Sequence, residues 1–187
     1  MSSDRWLRDE RAELAAQRIL DAAGRLFAQR GVRTVGMSDV ATAAGCSRAT
    51  LYRYFDNRDS LRAAFVHRET RRIGAQVTRE IDDLTDPGER LVQAMVASLR
   101  LVRSDRTLLA WFGTDDAGTT AGIAHSSMVI EGLVATFLGD SADAHVCRRA
   151  RWVVRMLVSL LVDPESDPGE EHALIAELVV PAVMAAH

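Results

Sequence analysis

Apolar residues recur along this chain at spacings of three and four, the period of an amphipathic helix, and nowhere show the strict alternation of a strand. Over residues 9–29, Leu14, Ile19, Ala22, Ala23, Leu26 and Phe27 fall on one broad face, and Gly31 stands where a helix stop is expected. Two short helices fit residues 38–44 and 48–55. Asp56-Asn57 then breaks the pattern before a long helix over 59–84. The run Thr85-Asp86-Pro87-Gly88 marks a boundary, because Asp caps a helix and Pro is favoured in its first turn.

Beyond that boundary the spacing predicts a helix over 89–103, with Leu91, Met95, Val96, Leu99 and Val102 along one side. Residues 108–112 form a short apolar piece, and 113–122, rich in Gly, Thr and Asp, read as a loop or a poor helix start. A helix over 123–138 ends near Gly139. The last two predicted helices cover 143–162 and 170–186, with Pro181 expected to kink or shorten the second. No internal repeat is visible. The expected fold is all-α, with about nine helices.

Composition changes this picture little. At 48% hydrophobic and 26% charged, the 187 residues have the balance of an ordinary globular protein. No apolar run approaches the roughly 18 residues of a membrane span, and residues 1–11 are too polar for a signal peptide. A cytoplasmic protein with no membrane partner is expected. In that reducing compartment Cys46 and Cys147 read as free thiols, although Cys46, inside a turn, also invites a redox-sensing reading.

Charge is more telling. All 23 basic residues are Arg. Residues 1–80 carry 15 Arg against 10 Asp and Glu, whereas 81–187 carry 8 against 16. A basic first part joined to an acidic remainder suggests that one module faces a polyanion and the other does not.

The stretch from Ser38 to Tyr52, Ser-Asp-Val-Ala-Thr-Ala-Ala-Gly-Cys-Ser-Arg-Ala-Thr-Leu-Tyr, says which module. Two helices crossing steeply through a short turn need a small residue where they touch, and Ala41 meets that need. Gly45 tolerates the positive φ of the turn. Val40, Cys46 and Leu51 are apolar pegs toward Leu26 and Phe27, and Ser47 is a good N-cap. The third helix then presents Arg48, Ala49, Thr50, Tyr52 and Arg53 outward. Side chains near its start are those that reach base edges in a major groove. Arg48 can read guanine bidentately, Thr50 can bond a base or a phosphate, and Ala49 permits close approach. Tyr52 and Tyr54 suit phosphate oxygens. Arg58 and Ser38, each at the start of a helix, are further backbone candidates.

From Gly31 to Leu61 the sequence resembles the N-terminal domain of the tetracycline-repressor (TetR) family of bacterial regulators. The residues that carry the likeness are Gly31, Val40-Ala41, the run Ala44-Gly45-Cys46-Ser47-Arg48-Ala49-Thr50-Leu51-Tyr52-Arg53-Tyr54-Phe55, Arg58 and Leu61. There are departures. Val35-Gly36-Met37 replaces the usual Thr/Ser cap of the second helix, so that cap is expected to be weaker or moved to Ser38. Cys46 stands for the usual Val, Ala49 for the common Gly and Arg58 for the usual Lys, which leaves the operator unpredictable by analogy.

The resemblance implies a DNA-binding domain over 1–58 and an all-helical regulatory domain over 59–187 that binds a small ligand and dimerises through its last two helices. The wide apolar faces of 143–162 and 170–184 fit such a four-helix homodimer interface, which the resemblance favours over the alternative that they close a monomer core. Ligand-lining candidates are the bulky apolar residues Met95, Leu99, Leu108, Trp111, Phe112, Ile123, Met128, Phe137, Trp152 and Met156, although such residues at helical spacing also build plain cores. His125, beside Ser126 and Ser127, could orient a polar group of the ligand. The histidines show no metal-ligand spacing with the cysteines, and no cofactor is expected. The expectation is a repressor that binds a palindromic double-stranded operator and is released by a small, mostly apolar effector. Two rivals differ in kind. An enzyme would need a phosphate loop, metal pattern or nucleophile elbow, none of which is found. A helical interaction or nonspecific DNA-binding module would show affinity set almost wholly by salt.

Overall fold

The computed structural model describes residues 3–113, 118, 122–123, 127–139 and 141–185, with side chains from residue 10 onward. Every described element is a helix. The chain divides into two compact units, Met1–Val66 and His67–His187.

The first unit holds α1 (Ser3–Arg30), α2 (Met37–Ala44), α3 (Arg48–Tyr54) and the opening turns of α4 (Arg58–Glu80). Its core begins at Ile19 and runs through Ala22, Ala23 and Phe27 to Val40, Leu51 and Phe65, all buried. Phe27 and Phe65 meet edge to face, with ring centroids 5.4 Å apart. Leu14, expected on that buried face, is instead 59% exposed. Leu14 lies ahead of Ile19, where the buried face of α1 begins among the described side chains.

Local chemistry sets each junction. Gly31, at φ 77°, ends α1 and donates its N–H to the Phe27 carbonyl. Gly36, not Ser38, is the N-cap of α2. It has no side chain to offer, so only the reciprocal half of a capping box forms: the Asp39 carboxylate accepts from the Gly36 N–H at 2.9 Å. Ser38 lies inside the helix, exposed. Asn57, read in sequence as a breaker, is better described as a cap. Its side-chain oxygen accepts from the Ser60 N–H at 2.8 Å, while the Asn57 N–H donates to Ser60 Oγ, and α4 starts at Arg58.

The second unit contains the rest of α4, then α5 (Pro87–Ser104), α6 (Arg106–Leu109), α7 (Met128–Leu138), α8 (Ala144–Val162), α9 (Pro168–Leu174), a π turn (Ile175–Val179) and α10 (Val180–Met184). α4 stops at Glu80 rather than near Leu84. The Leu84 N–H closes a tight turn on the Ile81 carbonyl, and the Arg90 guanidinium takes the carbonyls of Ile81 and Leu84 at 3.0 and 2.7 Å. The short apolar piece is α6, capped by Asp105 on the Thr107 N–H. The described helix in the 123–138 stretch starts at Met128, because Ser127 caps it by accepting from the Ile130 N–H. The final helix is interrupted rather than merely kinked: the Val180 N–H reaches back five residues to the Ile175 carbonyl, one step before Pro181, which has no N–H to give.

Leu91, Met95 and Leu99 of α5 pack with Val153 and Leu160 of α8 and with Ile175, Val179 and Val183. Polar ties brace this core. Arg103 forms a two-pronged bond to Glu171 at 2.8 and 2.6 Å and also donates to the Leu160 carbonyl, joining α5, α8 and α9. Arg151 grips Glu131 in the same way, joining α8 to α7. Arg72 of α4 bonds Glu69 at 2.7 Å and Asp105 at 2.8 Å. Both cysteines are free thiols. Among the described residues, no group of side chains could hold a metal ion, and no helix is long and apolar enough to cross a membrane.

Candidate nucleic-acid interface

The geometry of the first unit follows from the turn between α2 and α3. Gly45 adopts the left-handed conformation at φ 68°, ψ 32°. Its N–H donates to the Thr42 carbonyl at 3.1 Å and the Cys46 N–H to the Ala41 carbonyl at 3.0 Å, a Schellman closure that reverses the chain tightly. Ala41 is buried there, which is why a small residue is needed. Ser47 then starts α3 by accepting from the Thr50 N–H at 3.0 Å.

α3 has two distinct sides. Leu51 is fully buried and Phe55, just beyond the helix, is buried, whereas Arg48, Ala49, Tyr52 and Arg53 are exposed. Positions 48 and 52, and 49 and 53, are one turn apart, so these four form a single outward face. Thr50 is half-buried at its edge, its hydroxyl 2.9 Å from Ser47 Oγ. The Arg53 guanidinium lies 5.4 Å from the ring centroid of the half-buried Tyr54. Arg58 is exposed and donates to the Arg33 carbonyl at 3.3 Å. Ser38 is also exposed; its carbonyl accepts from the Thr42 hydroxyl.

Electrostatics favour an anionic partner. The Gly36 N–H, followed by the Arg30 guanidinium at 3.1 Å, holds the Asp39 carboxyl below the usual carboxylate range. That charge is thereby committed within the protein, while Arg33, Arg48, Arg53 and Arg58 stand exposed.

The ligand candidates do not share one environment. Met95 and Leu99 are core residues of α5, and Leu108 and Trp111 are buried near α6. Phe112, Ile123, Phe137 and Met156 are half-buried. Met128 is 85% exposed and Trp152 44% exposed. His125 and Ser126 lie outside the described residues.

One polar feature of the second unit, His67 of α4, has a partner that sequence spacing does not reveal. Its Nε2 lies 2.7 Å from Oγ of the buried Ser127, sixty residues away. Burial, and then the nearby charge of Arg71, push this imidazole below its ordinary 6.5. The Ser127 side of the contact had a signal, a serine placed just before an apolar helical run; the His67 side had none.

Comparison with known proteins bears on this interface. Residues 19–65 match the family described as bacterial regulatory proteins, tetR family. Over 186 residues the chain is 52% identical to an HTH-type transcriptional regulator of Mycobacterium tuberculosis, covering 98% of this chain and 92% of that one. Among solved structures it resembles the TetR family repressor AlkX from Dietzia sp., with a TM-score of 0.62 and 24% identity over 90% of this chain and 95% of that one. It also resembles RolR in complex with resorcinol, with a TM-score of 0.72 and 18% identity over 93% and 89% of the two chains. At these identities the two structures speak for the fold alone.

Proposed function

Because the chain belongs to the tetR family of bacterial transcriptional regulators, we propose that it is a ligand-responsive repressor, binding a palindromic operator as a homodimer and released by a small, mostly apolar molecule. The observation that carries the reading is the outward face of α3, which puts Arg48 and Ala49 in the first turn of a Ser47-capped helix whose other side is locked into the core. Residues 1–58 do the DNA binding and 59–187 the regulation. Arg48, Ala49 and Thr50 read bases, while Ser38, Ser47, Tyr52, Arg53, Tyr54 and Arg58 hold the backbone.

Support for the homodimer comes from large apolar side chains left exposed on the last helices: Trp152 and Val162 on α8, Leu178 in the π turn and Met184 on α10. Large apolar groups left exposed on the two helices expected to pair are what a partner's helices would cover. A two-fold dimer and a palindromic site imply each other. A small effector is supported by the neighbour that holds resorcinol. In this chain Leu108, Trp111, Phe112, Ile123 and Met156 are its best contacts, being buried or half-buried rather than surface-exposed. Ligand binding shifts the population between DNA-competent and incompetent arrangements of the two heads. The protein works in the cytoplasm.

The test is a binding titration against DNA from upstream of its own gene, with unrelated duplex as competitor. Arg48→Ala is expected to cost about 1–3 kcal/mol and to relax preference at one operator position. Tyr52→Phe is expected to weaken all sequences alike. Absence of any preference over competitor DNA at moderate salt would refute the reading. Binding governed by salt alone and indifferent to Arg48 and Thr50 would instead mark a nonspecific DNA-binding module.

A further inference from the structure

Of the four side chains on the outward face of α3, Arg53 is placed by its neighbour in the chain. Its guanidinium carbon lies 5.4 Å from the ring centroid of Tyr54, within the range of a cation–π contact. Tyr54 is half-buried and ends the helix. The backbone that carries it is fixed from both sides. Leu51 is fully buried, Phe55 is buried, and the Phe55 N–H donates to the Leu51 carbonyl at 3.0 Å. The ring is thus a held platform, and a long exposed side chain has settled on it.

A cation in the last turn of a helix commonly bonds the final carbonyls. Arg53 does not: among the described residues its guanidinium has neither a hydrogen bond nor an ion pair. Contact with a ring face leaves its N–H donors open to an anion, and a guanidinium matches phosphate oxygens in shape. Ordering a long side chain on binding costs free energy, and one already settled costs less. Tyr54 itself is turned away from such an anion. Successive residues stand about 100° apart around a helix, so Tyr54 lies about 200° from Tyr52, with Arg53 between them. The outward face carries Tyr52, and Tyr54 meets it only through Arg53.

We infer that Tyr54 is a positioning residue, whose ring holds the Arg53 guanidinium toward a phosphodiester of the operator backbone while its hydroxyl takes no part in binding. The inference rests on the proposed DNA-binding role of the first unit and says by what route Tyr54 serves it. Arg53 supplies the charge and Tyr54 the orientation, and neither carries a sequence preference.

The full chain and its variants are titrated at several salt concentrations against an operator duplex and an unrelated duplex of equal length. Arg53→Ala should reduce the slope of log K against log[salt] by about 0.9, the loss of one phosphate contact. Tyr54→Phe keeps the ring face and should bind as the parent does. Tyr54→Leu removes it and should weaken binding to both duplexes by about two- to five-fold, the worth of an exposed cation–π contact, with operator preference unchanged. Made in the Arg53→Ala chain, the same Leu change should cost nothing further. Unfolding midpoints check that each variant is folded. Should Leu not be tolerated at this half-buried position, the ring current is an independent readout: in the free parent chain the δ-protons of Arg53 should resonate upfield of those of Arg48. Weaker binding by Tyr54→Phe overturns the inference, because the hydroxyl is then the contact. So does an equal loss from Tyr54→Leu in both backgrounds, or an Arg53 without the upfield shift. Failure of the DNA-reading role itself looks different: the parent chain then shows no operator preference for Arg48→Ala to lose.

Discussion

Replacing Gly45 isolates the backbone requirement of the turn between α2 and α3. A Cβ built at Gly45 meets no atom within 4 Å, so Ala introduces no clash. What remains is conformational. At φ 68° an L-residue pays about 1–2 kcal/mol that glycine does not. Part of this is offset, because Ala also restricts the unfolded chain, by roughly 0.4–1 kcal/mol. The net expectation for Gly45→Ala is a loss of about 1 kcal/mol. Asn tolerates the left-handed region better, so Gly45→Asn should lose less. Urea unfolding followed by far-UV circular dichroism measures both variants against the parent chain. In a domain of this size a loss of 1 kcal/mol also lowers Tm by roughly 2–4 °C. The reasoning is refuted if Ala costs nothing, if Asn costs more than Ala, or if Ala costs above about 3 kcal/mol, which would require a clash that the open space does not provide.

Two further outcomes concern the second unit. Because the folded state holds the His67 imidazole below its ordinary 6.5, the unfolded chain takes up that proton first as pH falls. The stability linked to this neutral ring is therefore complete above pH 6.5 and is lost as pH falls through the depressed folded value. Urea midpoints compared at pH 7.5 and 5 should show a smaller drop for His67→Gln than for the parent, and equal drops would refute the assignment. Leu178 is 67% exposed, so Leu178→Glu should change monomer stability by no more than about 0.5 kcal/mol. If it lies in the homodimer interface, light scattering should report a shift toward monomer; an unshifted dimer places the interface elsewhere.

The reading head was legible in sequence because its determinants are local. Gly45, Ser47 and Leu51 lie within seven consecutive positions, and each does its work within one helical turn. The same proximity makes the cap of α2 hard to read. Its usual residue is absent, and the substitute is a carboxylate reaching back from Asp39, which only side-chain geometry reveals. Periodicity shows which face of a helix is apolar but not whether anything covers it, which is why Leu14 and Met128 share a spacing with buried residues and are themselves exposed. The ties of the second unit were out of reach for a different reason. Arg103 and Glu171 are 68 residues apart, and His67 and Ser127 are 60 apart, so their partnership exists only after folding. Nor does composition separate Met95, which is plain core, from a residue that touches an effector.

The π turn before Pro181 works as a phase correction. Glu171, Ile175, Val179 and Val183 are all buried, and they recur at every fourth position. In a regular α-helix each step of four overshoots a full turn by about 40°, so three steps would carry Val183 about 120° around the helix from Glu171. Fitting one extra residue into the turn at 175–179 takes up much of that drift and keeps the Arg103-bonded end and the valine end facing the same core. The turn thus absorbs one residue without moving the two ends of the helix around the core. Removing one residue there would convert the turn to regular α-helix, in which eleven steps of about 100° still bring Val183 to within about 20° of Glu171, whereas straightening the turn without a deletion would carry Val183 about 120° away from α5 and α8.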